Sequence, residues 1–147
     1  MIALLAIIVA TGPLMALRRI DRWDTWDRPA WAPSGRIAVV TGLASTAVEA
    51  LAVWLVWDEH GWSLPIYLWL AHVALAPLWW ASLVGSERLS AGFTLLCVDW
   101  TALAIAAAAF SAFTPVAGWL VALPLAWLTW MGASVFFLWQ ANQPSRR

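Results

Sequence analysis

The sequence has little charge, a single cysteine and no lysine. Charged residues make up 11% of its 147 residues, and eight arginines balance eight acidic residues. A neutral chain without a basic stripe lacks the electrostatic footprint of a nucleic-acid-binding protein, so we expect no nucleic-acid partner. Because Cys97 is the only cysteine, an intrachain disulfide and a thiolate metal cluster are both excluded.

Apolar residues are abundant instead. Hydrophobic residues make up 63% of the chain, and the mean hydropathy is +0.78. A soluble domain is about 45–50% apolar and about 25% charged. A soluble fold of this size has too little interior for so much apolar surface, and a disordered chain has the opposite composition. The composition therefore indicates an integral, multi-pass membrane protein.

Five apolar segments are long enough to cross a bilayer, since a helical span needs roughly twenty residues. The predicted spans cover residues 1–17, 37–57, 64–84, 89–113 and 116–139, and residues 18–36 form a long first loop. The first segment has neither a basic leading region nor a small-residue cleavage site, so it is predicted to be a retained span. The expected fold is an all-α membrane protein, a five-helix bundle forming one domain over residues 1–147.

The arginines predict the orientation of this bundle. All eight lie in the first loop, in the third connection at Arg88 or in the C-terminal tail, whereas the connection at residues 58–61 has none. Positive charge resists translocation across the membrane. The N-terminus is therefore expected outside and the C-terminus in the cytoplasm.

Fourteen tryptophans form a second unusual feature, against one tyrosine and five phenylalanines. Half lie near predicted helix ends, as an interfacial belt requires: Trp23, Trp26, Trp54, Trp57, Trp62, Trp119 and Trp139. Six lie deeper: Trp69, Trp79, Trp80, Trp100, Trp127 and Trp130. A flat apolar ligand flanked by rings is one use for the deeper set, and plain helix packing is the alternative.

The first loop contains two prolines and two indoles within the ten residues 26–35, which predicts a rigid aromatic lid over one end of the bundle. Its segment Arg28-Pro29-Ala30-Trp31-Ala32-Pro33-Ser34 resembles the loop motif of the TspO or translocator proteins, also called tryptophan-rich sensory proteins. Further positions of that family's helices are matched by His72, Trp79, Gly85, Arg88, Asp99, Trp127, Trp139 and Asn142. The resemblance covers nearly the whole chain and implies a bacterial cell membrane as its location.

Three departures from the family pattern affect function. The second helix has Gly42, Ser45 and Thr46 where the family usually has a Trp, a Leu and a Tyr, and Ala76 replaces an Asn of the third helix. The Trp linked to porphyrin chemistry in some bacterial members is therefore missing. The sterol-recognition pattern is also absent, because Tyr67 is the only tyrosine and no basic residue follows within five positions.

Small residues at these positions predict a cavity, and ionisable residues are predicted to face it. Gly42, Thr46 and Glu49 share one helix face, which is the family's pocket face. Ionisable groups inside a membrane face an interior or a cavity by default, and Glu49, His72 and Asp99 are the deep ones. We expect His72 to contact a ligand or to ligate haem iron, with Glu49 tuning it. The alternative is a buried pair that ties two helices together, and Asp99 is expected to accept hydrogen bonds from Trp or Thr donors on a neighbouring helix.

The resemblance implies a binding or sensory protein for flat hydrophobic ligands such as porphyrin or haem, with no required cofactor. The candidate ligand site comprises Arg28, Trp31, Thr46, Glu49, His72, Trp79 and Trp127, without a catalytic residue or a dedicated metal site. The ligand is expected beneath the loop that contains Trp31, with Arg28 and Arg36 paired to its propionates. Other hypotheses are light-dependent porphyrin degradation, proton-linked transport or sensing through Glu49 and His72, and a structural module. Alanine-rich spans also allow a homodimer.

Overall fold

A computed structural model describes residues 20–142 of the protein, all in helices and their connections, with no strand among them. The predicted span at residues 1–17 and the C-terminal arginines lie outside the described residues, so the count of five spans and the orientation stay predictions. The helices are α1 (Asp21–Thr25), α2 (Gly35–His60), α3 (Leu64–Trp80, continued by a π-helical turn at Ala81–Gly85), α4 (Leu89–Phe113) and α5 (Pro115–Ala141).

Helices α2 to α5 are long and apolar enough to cross a membrane. They confirm the second to fifth predicted apolar helices, with shifts of up to three residues at their ends. Local signals explain the boundaries. The Ser34 hydroxyl accepts a hydrogen bond from the Ile37 N–H at the start of α2, and prolines occupy the first turns of α3 and α5, where their missing N–H costs nothing.

The four long helices pack in the order α2, α5, α4, α3. Helix α4 lies between α3 and α5, and α5 also packs along α2, whereas α2 and α3 are consecutive in sequence but share little backbone contact. Helices α4 and α5 approach closely at Gly118, where a Cβ would lie 2.0 Å from the Ser111 Oγ. Small residues let membrane helices approach in this way.

Prolines inside the spans are accommodated without a break in the helix. Pro77 and Pro124 lie within α3 and α5. Four residues beyond Pro77, α3 widens into its π-helical turn, at whose end the Ser86 N–H donates to the Ala81 carbonyl, five residues back, at 3.0 Å. Such a wide turn lets α3 continue towards its connection with α4.

Trp23 in the first loop corrects one expectation, because it is completely buried and not interfacial. Its indole N–H donates to the Pro33 carbonyl at 2.9 Å, and its ring centroid lies 6.3 Å from that of Trp80 in α3. The loop folds back on itself around this ring. The position of Trp23 near a predicted helix end does not indicate this packing, because it involves residues distant in sequence.

The first loop is fastened to the ends of three helices. The Asn142 side chain, just beyond α5, donates to the Asp27 carbonyl at 3.0 Å, and Arg22 pairs with Glu87 of the α3–α4 connection. At the start of α2, the Gly35 N–H donates to the Asp24 carboxylate at 3.2 Å. The loop therefore lies as a lid over one end of the described bundle.

Candidate functional site

Helices α2 to α5 enclose a cavity of about 30 Å³ between them. A cavity needs roughly 10–15 Å³ to hold a single water molecule, so this space is of the size of ordered water and not of a large ligand. The cavity is lined by Gly42, Ser45, Thr46, Glu49, His72, Val73, Ala76, Trp79, Trp80, Asp99, Leu103, Pro124, Trp127 and Leu128.

The cavity exists because α2 presents small side chains towards the indoles of α3 and α5. Gly42, Ser45 and Thr46 lie on one face of α2, and Ala76 lies opposite on α3. The rings of Trp79 and Trp80 stack with centroids 4.4 Å apart, and the Trp127 N–H donates to the Thr41 hydroxyl at 2.7 Å. The cavity therefore has aromatic walls and a small-residue floor.

Asp99 anchors a buried polar cluster beside this cavity. Its carboxylate is completely buried, and each oxygen has its own partner. Oδ1 lies 2.7 Å from His72 Nδ1, and Oδ2 accepts a hydrogen bond from the Trp79 N–H at 2.9 Å. Asp99 thus joins α4 to α3 through an indole donor, as the sequence predicts.

Glu49 extends the polar cluster to α2. Its Oε2 accepts a hydrogen bond from the Trp69 N–H at 2.9 Å and lies 3.4 Å from His72 Nε2. No residue between 20 and 142 donates to the other oxygen, Oε1, although the side chain is 4% exposed and lines the cavity. Glu49 therefore brings a carboxylate oxygen that has no donor among residues 20–142 to the cavity.

His72 lies between the two carboxylates. Its Nδ1 faces Asp99 and its Nε2 faces Glu49, so coordination of haem iron by this ring would require displacement of one acid. Among the residues that the structure describes, no group of three or more His, Cys, Asp or Glu side chains is arranged to hold a metal ion. The arrangement can hold or exchange a proton between acids and imidazole, or accept a hydrogen bond from a ligand.

The structure divides the candidate site into two groups. Thr46, Glu49, His72, Trp79 and Trp127 all line the cavity. Trp31 and Arg28 lie in the loop and do not line it.

The two loop residues have other partners. Trp31 is 48% exposed and meets Phe137 of α5 edge-to-face, with ring centroids 5.5 Å apart. Arg28 pairs with Asp24 at 3.1 Å and donates to the carbonyls of Ala32 and Pro33. Both side chains thus contribute to the conformation and attachment of the lid.

Trp69 was not among the predicted site residues, although its indole N–H donates to Glu49. Its spacing carries a usable signal: Trp69 lies three residues before His72, on the same face of α3, so a donor at 69 and an imidazole at 72 point the same way. Asp99 was considered structural and proves also to line the cavity.

Comparison with known families gives one match, which covers residues 1–140: the TspO/MBR family. No curated protein matches the chain. The family match extends over the four apolar helices and the cavity between them. The chain therefore belongs to the TspO/MBR family and is an integral, multi-pass membrane protein.

Proposed function

We propose that this protein binds a flat hydrophobic ligand between α2, α3 and α5. The observation that carries the proposal is the cavity, which combines stacked indoles with a small-residue helix face and a buried carboxylate. Aromatic rings bind flat ligands by stacking and by burial of apolar surface. The family resemblance makes a tetrapyrrole the first ligand to test.

A ligand of that size must enlarge the cavity. The present volume of about 30 Å³ accommodates waters but no ring system. Helices α2 and α3 share little backbone contact, so their separation loses little packing between them. Binding is therefore coupled to movement of α2 away from α3, and a ligand stabilises the open arrangement in proportion to its preference for it.

The cavity favours a metal-free ring over haem. Both nitrogens of His72 face carboxylates, which leaves no ring nitrogen directed at an iron within the cavity. Arg28 has three partners inside the loop, so the propionate contact that we expected from it would have to replace them. A neutral or metal-free ligand needs neither rearrangement.

A structural module without a small ligand is the second candidate. The observation that favours it is the complete hydrogen bonding of Asp99, which links α3 and α4 in the manner of a helix-tying polar cluster. The two candidates differ in the effect of filling the cavity. A ligand site would bind its ligand more weakly, whereas a structural core binds no ligand before or after the change.

Titration with protoporphyrin tests the proposal in protein reconstituted in nanodiscs, with quenching of tryptophan fluorescence as the signal. We expect Ala76→Leu, which fills the cavity, to weaken binding at least tenfold. Ala74→Leu is the matched control, because the same change two residues away lies on an exposed position of α3. It should leave affinity within twofold.

Two outcomes would contradict the proposal. Quenching no greater than that of an unrelated multi-pass protein would mean that no site exists. Equal affinities in both variants and the wild type would mean that the ligand lies elsewhere. Light-dependent loss of the porphyrin, followed by absorbance in the same samples, would separate degradation from binding.

A further inference from the structure

We infer that the cavity selects ligands that carry a hydrogen-bond donor, an N–H in particular, and that the Glu49 carboxylate accepts this hydrogen bond. This inference rests on the proposed ligand site and specifies the chemical class of its ligand. It follows from the charges and hydrogen bonds of the polar side chains that line the cavity.

The cavity is lined by more acidic side chains than basic ones. Among residues 20–142, the ionisable side chains that line the cavity are Glu49, His72 and Asp99, so two carboxylates face one imidazole. Asp99 uses both oxygens, and His72 places both nitrogens against carboxylates. One imidazole cannot neutralise two carboxylates, and the acid with spare capacity is Glu49.

Glu49 has a specific unmet requirement. Its Oε2 accepts the Trp69 N–H, whereas Oε1 has no donor among residues 20–142. Because Glu49 lines the cavity, this free oxygen can accept a hydrogen bond from a ligand that carries a donor. Hydrogen bonds to a charged acceptor are about twice as strong as those between neutral groups.

The remaining groups distinguish donors less strongly. The Ser45 hydroxyl and the Trp80 N–H belong to residues that also line the cavity, but both groups are neutral. The Thr46 hydroxyl already donates to the Gly42 carbonyl at 3.1 Å, which leaves its lone pairs as acceptors. The indole N–H groups of Trp79 and Trp127 are engaged elsewhere. A ligand that brings an anion would meet Glu49 without compensation.

A flat ring system with an inward N–H therefore fits this site, whether a pyrrole, an indole or a protonated amine on an aromatic frame. Carbazole and dibenzofuran form a matched probe pair, because both are flat tricyclic molecules and differ in an N–H donor against an oxygen acceptor. Equilibrium dialysis against protein in nanodiscs, with empty nanodiscs subtracted, gives affinities corrected for partition into lipid.

We expect the wild type to bind carbazole at least tenfold more tightly than dibenzofuran. Glu49→Gln keeps the size of the side chain but replaces the charged acceptor by a neutral amide, so the ratio should fall below threefold. Glu49→Met removes the acceptor altogether and should give a ratio near one. Glu59→Gln is the matched control, since this exposed acid lies near the end of the same helix. Its ratio should equal that of the wild type.

A wild-type ratio below threefold, or an unchanged ratio in Glu49→Gln, would overturn the inference. These results are separable from failure of the proposed function. If both probes bind with equal affinity and Ala76→Leu weakens both, the cavity is a ligand site without donor selection. If neither probe binds above empty nanodiscs, the donor selection is refuted, and the protoporphyrin titration alone decides the ligand site.

Discussion

Two helix junctions in this protein are built in opposite ways. Helices α4 and α5 approach closely through small residues, with Gly118 against Ser111, and one indole of this junction, Trp100, donates to the Thr129 hydroxyl on its exposed side at 2.8 Å. Helices α2 and α3 share little backbone contact and meet through Glu49, which contacts Trp69 and His72.

The difference shows where function is compatible with stability. A close apolar junction gains dispersion energy wherever the two helices touch, and it separates only at the cost of those contacts. A junction held by a few directional polar contacts leaves space beside them and opens at the cost of those contacts. Ionisable residues within a membrane are costly and need a reason to be there. In this chain they occur at the junction that contains the cavity.

The largest expected effect comes from Asp99→Leu. This change removes the acceptor for His72 and for the Trp79 N–H, which leaves two buried groups without their partner. Removing one member of a buried ionic pair typically costs about 3–5 kcal/mol. We expect a loss of that size in the free energy of unfolding, measured by SDS titration in mixed micelles.

Asp58→Leu is the control for this measurement, because Asp58 is an exposed acid at the end of α2. Its effect should stay within about 0.5 kcal/mol, as for most surface substitutions. If Asp99→Leu were equally mild, the polar cluster would not hold these helices together, and the contrast between the two junctions would disappear.

The next largest effect concerns the close junction. In Gly118→Ala the new Cβ would lie 2.8 Å from the Ser111 Cα, so the backbones of α4 and α5 must separate. Overpacking of this kind costs about 2 kcal/mol. Gly85→Ala is the matched control, because its Cβ would lie 4.0 Å from the Cβ of Ala81, an ordinary van der Waals contact. The same SDS titration should show a loss only for Gly118→Ala, and equal losses would show that the junction tolerates separation.

The helices and part of the site were predictable from the sequence because the bilayer imposes simple rules. A span must be long, apolar and helical, and this constraint predicts α2 to α5 closely, including α4 at Leu89–Phe113. The placement of Glu49 beside Gly42 and Thr46 follows from helical periodicity within one segment. Both predictions use only local order along the chain.

Contacts between distant segments were not predictable in the same way. Trp23 is near a helix end in sequence but is buried under Pro33 and Trp80, since the loop folds back over the bundle. The sequence predicts that Arg28 binds an anionic group of a ligand, yet the side chain donates to carbonyls of its own loop. The donor to Glu49 depends on how α3 is rotated against α2, and hydrophobicity pattern does not determine that rotation.

The smallest expected effect compares one indole from each junction. Trp69→Phe removes the N–H that serves Glu49 Oε2 in the interior, and Trp100→Phe removes the N–H that serves Thr129 where the side chains are exposed. Both variants lose the same ring volume, so the difference between their losses in free energy of unfolding reflects the environment of the hydrogen bond. A carboxylate left without its donor in the interior costs more than a hydroxyl that keeps its own bond to the Leu125 carbonyl. We expect Trp69→Phe to lower the free energy of unfolding by about 1 kcal/mol more than Trp100→Phe does. A larger loss in Trp100→Phe than in Trp69→Phe would mean that Glu49 is already neutral or finds another donor. The polar contacts of Glu49 would then not be what holds α2 to α3.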